Sequence, residues 1–226
     1  MIRLGVLASG GGTNLQAILD ACAAGRIDAK VAVVLSNVPG AGALARAERA
    51  GVATEVLPSK GVADRDAYDA RLVERLRAHE VDLVCLAGYM RIVTPTFLRA
   101  FGPSGASRGC PRVINIHPGL LPGFPGLHAQ RQALEYGARF AGCTVHFVDE
   151  GTDTGPVIVQ AVVPVLPADD EAALAARILQ QEHRLYAQAI QWIAQGRLSL
   201  DGRRVRVEGG QPPAPFALAN PAVEGA

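Results

Sequence analysis

Short apolar runs alternate along the chain with segments of helical periodicity. Four of these runs consist mainly of leucine, valine and isoleucine with few polar residues, and they cover residues 4–8, 31–35, 81–87 and 112–116. Such runs are typical of strands that are buried on both faces of a parallel sheet. The alternation predicts an α/β fold, in which an open, doubly wound, mostly parallel sheet carries helices on both faces.

Two helices between these strands follow from the spacing of their apolar residues, which fall three or four positions apart. The apolar residues of the first are Leu15, Ile18, Leu19 and Cys22, and those of the second are Tyr68, Leu72 and Leu76. Asn14 precedes the first group and is a candidate N-terminal cap for that helix.

The second half of the chain has a different pattern. Residues 142–148 and 156–165 predict two further strands, joined by a polar loop at residues 149–155. A long helix is expected over about residues 169–194, and Asp201-Gly202 predicts the turn of a hairpin. We expect one domain over residues 1–209, followed by a Pro/Gly/Ala-rich tail at residues 210–226.

Composition and charge limit the classes of partner. The chain has 226 residues, of which 49% are hydrophobic and 19% charged, as in folded globular proteins. Its 22 basic and 21 acidic residues give a net charge of +1, which indicates neither a nucleic acid nor a membrane as partner. No run approaches the roughly 20 apolar residues that span a bilayer. We therefore expect a cytoplasmic protein.

The cysteines also fit a reducing compartment. Cys22, Cys85, Cys110 and Cys143 are widely spaced and form no C-x-x-C pair, and all but Cys110 lie in apolar runs. Buried, reduced thiols are a better interpretation than disulfides or a zinc site.

A glycine turn, Ser9-Gly10-Gly11-Gly12-Thr13-Asn14, joins the first predicted strand to the first predicted helix. Glycines allow a sharp turn with exposed N–H groups, and a helix N-terminus adds partial positive charge, so the turn suits a phosphate. It is not a dinucleotide fingerprint, because Leu15 stands where the third glycine would be. A tight turn without a ligand is the alternative.

Asn115 and His117 lie at the end of the fourth predicted strand, immediately before Pro118. Strand alternation places both side chains on one side, about 6.6 Å apart. Ligands of open parallel sheets bind beyond the carboxyl ends of the strands. An amide N–H can stabilise an oxyanion and an imidazole can move a proton, so the pair is a candidate catalytic site. A structural, hydrogen-bonded histidine is the alternative.

Two acidic residues are further candidates. Asp153 lies in the polar loop, where a carboxylate could raise the pKa of a neighbouring imidazole. A solvated acidic turn is the alternative, and the sequence does not show that Asp153 meets His117. Glu182 falls on the apolar stripe of the long helix, where a carboxylate is costly unless it is paired or faces a wet cleft. A side chain at the stripe edge that reaches solvent is the other interpretation.

Together these motifs resemble the phosphoribosylglycinamide formyltransferases, a folate-dependent family, over about residues 2–196. The most specific stretch is Asn115-Ile116-His117-Pro118-Gly119-Leu120-Leu121-Pro122. Similar stretches occur in the same order at residues 7–18, 65–69, 86–93, 124–128, 142–148, 153–156 and 181–183.

The resemblance implies a formyltransferase-type Rossmann-like fold and formyl transfer from 10-formyltetrahydrofolate to the amine of glycinamide ribonucleotide, in de novo purine synthesis. Small molecules would be the only partners, no metal would be needed, and the protein would be a monomer or homodimer. Asn115, His117 and Asp153 would be catalytic, with His117 held cationic by Asp153. The implied binding residues are Gly12, Thr13, Asn14 and Glu182 for the ribonucleotide, and Arg65, Met90, Arg91, Ile92, Val93 and Asn115 for the folate.

Two features depart from the family pattern. Residues 102–111 are longer and richer in glycine and serine than the usual approach to the catalytic strand, and they predict a surface loop. Thr152 precedes Asp153 where the family has an aliphatic residue.

Three other functions remain open. Methionyl-tRNA formyltransferase shares the fold and the Asn-x-His-Pro core, but it ordinarily has a further C-terminal domain and would need a basic surface. A serine hydrolase built on Ser9 is less well supported, because Leu7 breaks the G-x-S-x-G motif. A folate- or nucleotide-binding module without catalysis belongs to a different class.

Overall fold

The computed structural model describes residues 1–104 and 107–210, and its main sheet contains seven strands. These strands are β1 (Ile2–Ala8), β2 (Ala29–Ser36), β3 (Ala53–Val56), β4 (Leu83–Leu86), β5 (Val113–His117), β6 (Phe140–Phe147) and β7 (Val157–Pro164). Their spatial order is β3-β2-β1-β4-β5-β6-β7. The first five pair in parallel, whereas β6 and β7 join antiparallel. The predicted open, mostly parallel sheet is confirmed.

Helices cover both faces of the sheet, as predicted. They are α1 (Thr13–Ala23), α2 (Gly42–Arg49), α3 (Arg65–Ala78), α4 (Pro95–Ala100), α5 (Ala129–Tyr136) and α6 (Glu171–Ala194). The predicted hairpin is also present, as β8 (Leu198–Asp201) and β9 (Arg204–Val207).

Strand alternation divides the buried residues between two cores. Leu4 and Val6 of β1 belong to a core with α1, α2, α5 and α6, whereas Leu7 points to the opposite core with α3 and α4. Both sides of β1 are therefore covered, which explains why its sequence is apolar throughout. None of the helices in the described ranges is long and apolar enough to cross a membrane.

The prediction that Asn14 caps α1 was wrong. The cap is Gly12, whose φ of 75° lies in the left-handed region that favours glycine, and no side chain caps this helix. Asn14 lies within the first turn, and its side chain points away from the free N–H groups to bond with α6.

The surface loop, the cysteines and the C-terminal tail were the other features predicted from the sequence. The described part of residues 102–111 forms the connection between α4 and β5, with Pro103, Ser104 and Arg108 exposed, as predicted for a surface loop. Of the four free cysteines, Cys22 is only half-buried, and the others are buried. Apart from residue 210, the predicted tail lies outside the described residues.

Candidate active site

A cleft of about 630 Å³ opens at the carboxyl ends of β1, β4 and β5. The strand order reverses here, because β2 and β3 lie on one side of β1 while β4 and β5 lie on the other. Ligands of open α/β sheets bind at such a reversal. Thr13 and Asn14 line the cleft from α1, and Asn115, His117 and Asp153 line it from the far side. The fold thus brings the glycine turn and the β5 motif to one cleft.

Asn115 and His117 occupy alternate positions at the end of β5, opposite His146 and Thr144 of β6. Both side chains face the cleft, as strand alternation predicted. His117 is only 3% exposed, so the ring is positioned by packing.

Asp153 reaches these residues from the loop between β6 and β7. Its Oδ2 accepts a hydrogen bond from the Gly126 N–H at 2.8 Å and lies 3.3 Å from His117 Nδ1. Its Oδ1 accepts from Asn115 Nδ2 at 3.4 Å. Asp153 has a φ of 55°, a left-handed conformation that costs free energy for a residue with a side chain. The strained loop therefore brings the carboxylate into contact with both β5 residues.

The two ring nitrogens of His117 have different surroundings. Nε2 lies 2.8 Å from the carbonyl oxygen of Phe124, which can only accept, so this nitrogen carries a proton. A Cβ atom at Gly119 would lie 2.8 Å from Nε2, so a side chain there would displace the ring. Nδ1 is the nitrogen beside Asp153, and it is the one that can exchange a proton.

Burial lowers the pKa of His117 and outweighs the Asp153 carboxylate and the Phe124 carbonyl, both of which raise it. The resemblance implied that Asp153 keeps His117 cationic. Burial opposes this role, because a buried imidazolium loses more hydration free energy than its attraction to one nearby carboxylate restores. Burial pushes the pKa of Asp153 upward, but His146, the Gly126 N–H and His117 together hold it below its ordinary value. Both directions favour a carboxylate beside a neutral imidazole at rest.

His146 is a cleft residue that the sequence analysis missed. It is 1% exposed, and its Nδ1 donates to the Phe147 carbonyl oxygen at 2.8 Å. Its Nε2 lies 3.2 Å from Asn115 Nδ2 and 3.6 Å from Asp153 Oδ1, and it accepts from Asn115 because an amide nitrogen can only donate. The contact orients the Asn115 amide, with one N–H toward His146 and the other toward Asp153. The only signal in the sequence was a histidine within an otherwise apolar strand, because residue spacing does not predict that β5 pairs with β6.

The glycine turn lies where the N-termini of α1 and α2 converge. The Gly10 carbonyl accepts from the Ala43 N–H at 3.0 Å, and a Cβ at Gly12 would lie 2.7 Å from Ala43 Cα. Arg46 of α2 donates through Nε to the Gly11 carbonyl at 2.8 Å. Two helix N-termini and a guanidinium make this turn favourable for an anion.

Glu182 lies in the middle of α6 and is 6% exposed. Its Oε2 accepts from Asn14 Nδ2 at 2.7 Å, and both residues line the cleft. Burial raises the pKa of this carboxyl, and the Asn14 hydrogen bond partly offsets the rise. The carboxylate is thus both paired and directed at the cleft, which were the two conditions expected for a charge on the apolar stripe.

The segment of residues 88–93 forms another wall of the cleft. Met90 and Ile92 are 63% and 54% exposed, so an apolar surface is available to a ligand. Arg91 and Val93 also line the cleft, but Val93 is buried and the Arg91 guanidinium lies 4.3 Å from the centre of the Tyr68 ring. Arg65 is not part of the cleft lining; its Nη2 donates to the Ile92 carbonyl at 2.7 Å and supports the segment from α3.

The geometry does not support a hydrolase built on Ser9. Its Oγ donates to Asn37 Oδ1 at 2.6 Å and accepts from the Met90 N–H at 2.8 Å. A serine nucleophile needs a base that accepts its proton, and an amide oxygen cannot do so. Within residues 1–104 and 107–210, no three His, Cys, Asp or Glu side chains are grouped so that they could hold a metal ion.

Comparison with known proteins agrees with this geometry. Residues 2–190 match the Formyl transferase family. The chain belongs to the formyl transferase family. This formyl transferase is 45% identical over 211 residues to phosphoribosylglycinamide formyltransferase of Escherichia coli, an alignment that covers 90% of this chain and 96% of that protein. The family resemblance suggested by the sequence motifs is confirmed.

Two further relatives of this formyl transferase are informative. The crystal structure of glycinamide ribonucleotide transformylase 1 from Symbiobacterium toebii has a TM-score of 0.87 and 57% identity, covering 92% of this chain and 94% of that one. The trifunctional purine biosynthetic protein adenosine-3 of Drosophila melanogaster is 50% identical over 196 residues, which are 86% of this chain. The match spans only 14% of that protein's length.

Proposed function

We propose that this formyl transferase moves the formyl group of 10-formyltetrahydrofolate to the amine of glycinamide ribonucleotide, giving formylglycinamide ribonucleotide for purine synthesis. The observation that carries the proposal is that Thr13 and Asn14 of the glycine turn and the Asn115–His117–Asp153 cluster line one cleft. The acceptor substrate carries a phosphate at one end, which matches the glycine turn, and a nucleophilic amine at the other, which matches the Asn115–His117–Asp153 cluster. The E. coli and S. toebii relatives bear names for this activity.

In the proposed complex, the phosphate of the ribonucleotide binds the N–H groups of Gly12, Thr13 and Asn14. Glu182 is on the same side of the cleft and accepts hydrogen bonds from polar groups of the ribonucleotide. The folate lies along residues 90–93, where Met90 and Ile92 present the exposed apolar surface that suits an aromatic ligand, with Arg65 behind them.

The reaction begins when the amine attacks the formyl carbon and forms a tetrahedral oxyanion. The amide nitrogen of Asn115 contacts His146 at 3.2 Å and Asp153 at 3.4 Å. The N–H of the longer contact, the one to Asp153, is donated to the oxyanion and stabilises it. The proton lost by the amine passes to Nδ1 of neutral His117, where Asp153 stabilises the resulting imidazolium. The bond between the formyl carbon and N10 of the folate then breaks, and His117 delivers a proton to the departing nitrogen.

We further propose that residues 1–209 act as one domain, that the protein works in the cytoplasm as a monomer or homodimer, and that small molecules are its only substrates. The net charge of +1 supports a small acceptor over a tRNA. Of the activities of the trifunctional relatives, only formyl transfer is proposed for this chain, because it spans 14% of such a protein.

A coupled assay tests the function directly. The purified protein is given 10-formyltetrahydrofolate with either glycinamide ribonucleotide or methionyl-tRNA, and the release of tetrahydrofolate is followed spectroscopically. We expect turnover with the ribonucleotide alone, and a loss of about 10²-fold or more in His117→Ala. Turnover with the tRNA would support the rival transferase, and binding of both small molecules without turnover would support a binding module.

A further inference from the structure

Ser9 connects the segments that follow three strands of the sheet, β1, β2 and β4. It follows the last residue of β1 and precedes the three glycines of the turn. Its backbone N–H donates to the Gly88 carbonyl at 3.0 Å, and its Oγ accepts from the Met90 N–H at 2.8 Å. The same hydroxyl donates to Asn37 Oδ1, just beyond β2, at 2.6 Å. Ser9 therefore uses its backbone and its side chain to join the glycine turn to the folate-facing segment.

The hydroxyl is suited to this position because it is a donor and an acceptor at once. Asn37 Nδ2 donates to Ser59 Oγ at 3.1 Å, which leaves Asn37 Oδ1 to accept the single Ser9 proton. The lone pairs of Ser9 Oγ are then directed at the Met90 N–H. Alanine would lose both bonds, whereas threonine would keep the hydroxyl.

The segment of residues 88–93 has other supports, but they come from a different part of the fold. Arg65 holds the Ile92 carbonyl, and Asp69 accepts from the Thr94 N–H at 2.6 Å, so both bonds tie the segment to α3. Ser9 is the residue that ties it to the glycine turn.

We infer that Ser9 is a positioning residue that couples the two substrate sites, so that binding of the ribonucleotide strengthens binding of the folate. The inference rests on the proposed function. A phosphate held by the N–H groups of the turn restricts the motion of the backbone that begins at Ser9. The bond from the Met90 N–H to the Ser9 hydroxyl then restricts the motion of Met90 as well. The second ligand then binds a segment that is already ordered, which produces positive cooperativity. By linkage, the folate strengthens binding of the ribonucleotide by the same factor.

Calorimetric titration tests this coupling. The dissociation constant of tetrahydrofolate, which has no formyl group to transfer, is measured with and without saturating glycinamide ribonucleotide. We expect the ribonucleotide to tighten folate binding by about fivefold or more in the wild type, within the usual range of coupling between sites. In Ser9→Ala the factor should fall to below about twofold, and Ser9→Thr should restore it.

A matched control is Ser36→Ala. Ser36 is a buried serine at the neighbouring end of β2. Among the described residues its hydroxyl bonds only within its own segment, to the carbonyl and N–H of Val38 at 3.0 and 3.1 Å. This variant should keep the wild-type coupling. If Ser9→Ala does not fold, Asn37→Ala replaces it, because losing the Asn37 acceptor frees the Ser9 hydroxyl to rotate, and coupling should again fall.

Two outcomes would overturn the inference: wild-type coupling of less than twofold, or unchanged coupling in a folded Ser9→Ala or Asn37→Ala variant. A turnover assay of the same wild-type protein separates this from failure of the proposed function. If the wild type transfers the formyl group but shows no coupling, only the role of Ser9 is wrong. If it transfers nothing and binds neither substrate, the proposed function fails and the inference fails with it.

Discussion

Nδ1 of His117 lies 3.3 Å from Oδ2 of Asp153, yet the pKa of this imidazole is lowered, because burial of the ring outweighs the neighbouring carboxylate. On the other edge of the ring, Nε2 faces the Phe124 carbonyl at 2.8 Å. Both nitrogens thus face acceptors, and a neutral ring with one proton can satisfy only one of them. Burial thus favours the neutral imidazole at rest, while the surrounding oxygens stabilise a second proton when the reaction supplies it.

The first prediction concerns Asp153→Asn. Asp153 raises the pKa of His117, so removing its charge should lower that pKa further and widen the pH range in which the ring is neutral. Because catalysis begins from neutral His117, the acid limb of kcat/KM should lie below pH 6.5 in the wild type and at still lower pH in the variant. The variant should also lose about 10²-fold or more in kcat, since the imidazolium is no longer stabilised. A pH–rate profile in which the variant's limb moves to higher pH would contradict this assignment.

The second prediction concerns Asn115→Ala. The Asn115 amide is held by His146 and Asp153, and its role in the proposed reaction is confined to the oxyanion. Its loss should lower kcat by about 10²–10³-fold, the usual effect of removing one such donor. The KM for the ribonucleotide should change little, because the phosphate site lies across the cleft. Steady-state kinetics measure both constants, and a kcat within about threefold of wild type would remove Asn115 from the catalytic group.

Much of the fold could be predicted from local pattern. Buried parallel strands have continuous apolar sequences, so β1, β2, β4 and β5 were predictable to within a few residues, as was the long helix α6. The edge strand β3 was missed because none of its residues is fully buried and its sequence has no apolar run. The helices α2, α4 and α5 were missed because six to eight residues provide too few helical turns to show a periodicity.

Site residues could be predicted from the sequence only where a reactive or charged side chain stands out within a single strand or helix. Asn115 and His117 share one strand face, and Glu182 interrupts an apolar stripe, so local sequence pointed to all three. Asp153 and His146 reach the cluster through antiparallel pairing of β5 with β6 and a loop with left-handed backbone. Such long-range pairing leaves no local mark in the sequence. The effect of burial on the pKa of His117 could not be predicted, because the extent of burial depends on the whole fold.

The third prediction concerns Glu182→Gln, which keeps the shape of the side chain and the Asn14 contact. Burial raises the pKa of Glu182, so the folded protein binds this proton more tightly than the unfolded chain does. The wild type therefore loses stability as the pH rises above 4.5, the ordinary value for this group, and the variant should not. The Tm of the variant should exceed that of wild type at pH 8, and the two should converge below pH 4.5.

The same variant should bind the ribonucleotide less well, because a neutral amide accepts weaker hydrogen bonds than a carboxylate. We expect the KM for the ribonucleotide to rise by about tenfold, with kcat within about threefold of wild type. A stability difference that is equal at both pH values would show that the buried charge is not its cause. An unchanged KM would remove Glu182 from the ribonucleotide site.

The fourth prediction compares two glycines in the same backbone conformation. Gly12 and Gly25 have φ values of 75° and 63°, so alanine at either position should cost about 1–2 kcal/mol in left-handed strain. A Cβ at Gly25 would meet no atom of the described residues within 4 Å, whereas one at Gly12 would lie 2.7 Å from the backbone of α2. Gly12→Ala should therefore lose about 1–3 kcal/mol more unfolding free energy than Gly25→Ala in urea titrations.

Gly12→Ala should also raise the KM for the ribonucleotide, because relief of the clash moves the N–H groups of the turn. Gly25→Ala should leave that KM unchanged. Equal destabilisation by the two substitutions would mean that the contact between Gly12 and α2 does not constrain the turn. An unchanged KM in Gly12→Ala would mean that the turn does not hold the phosphate.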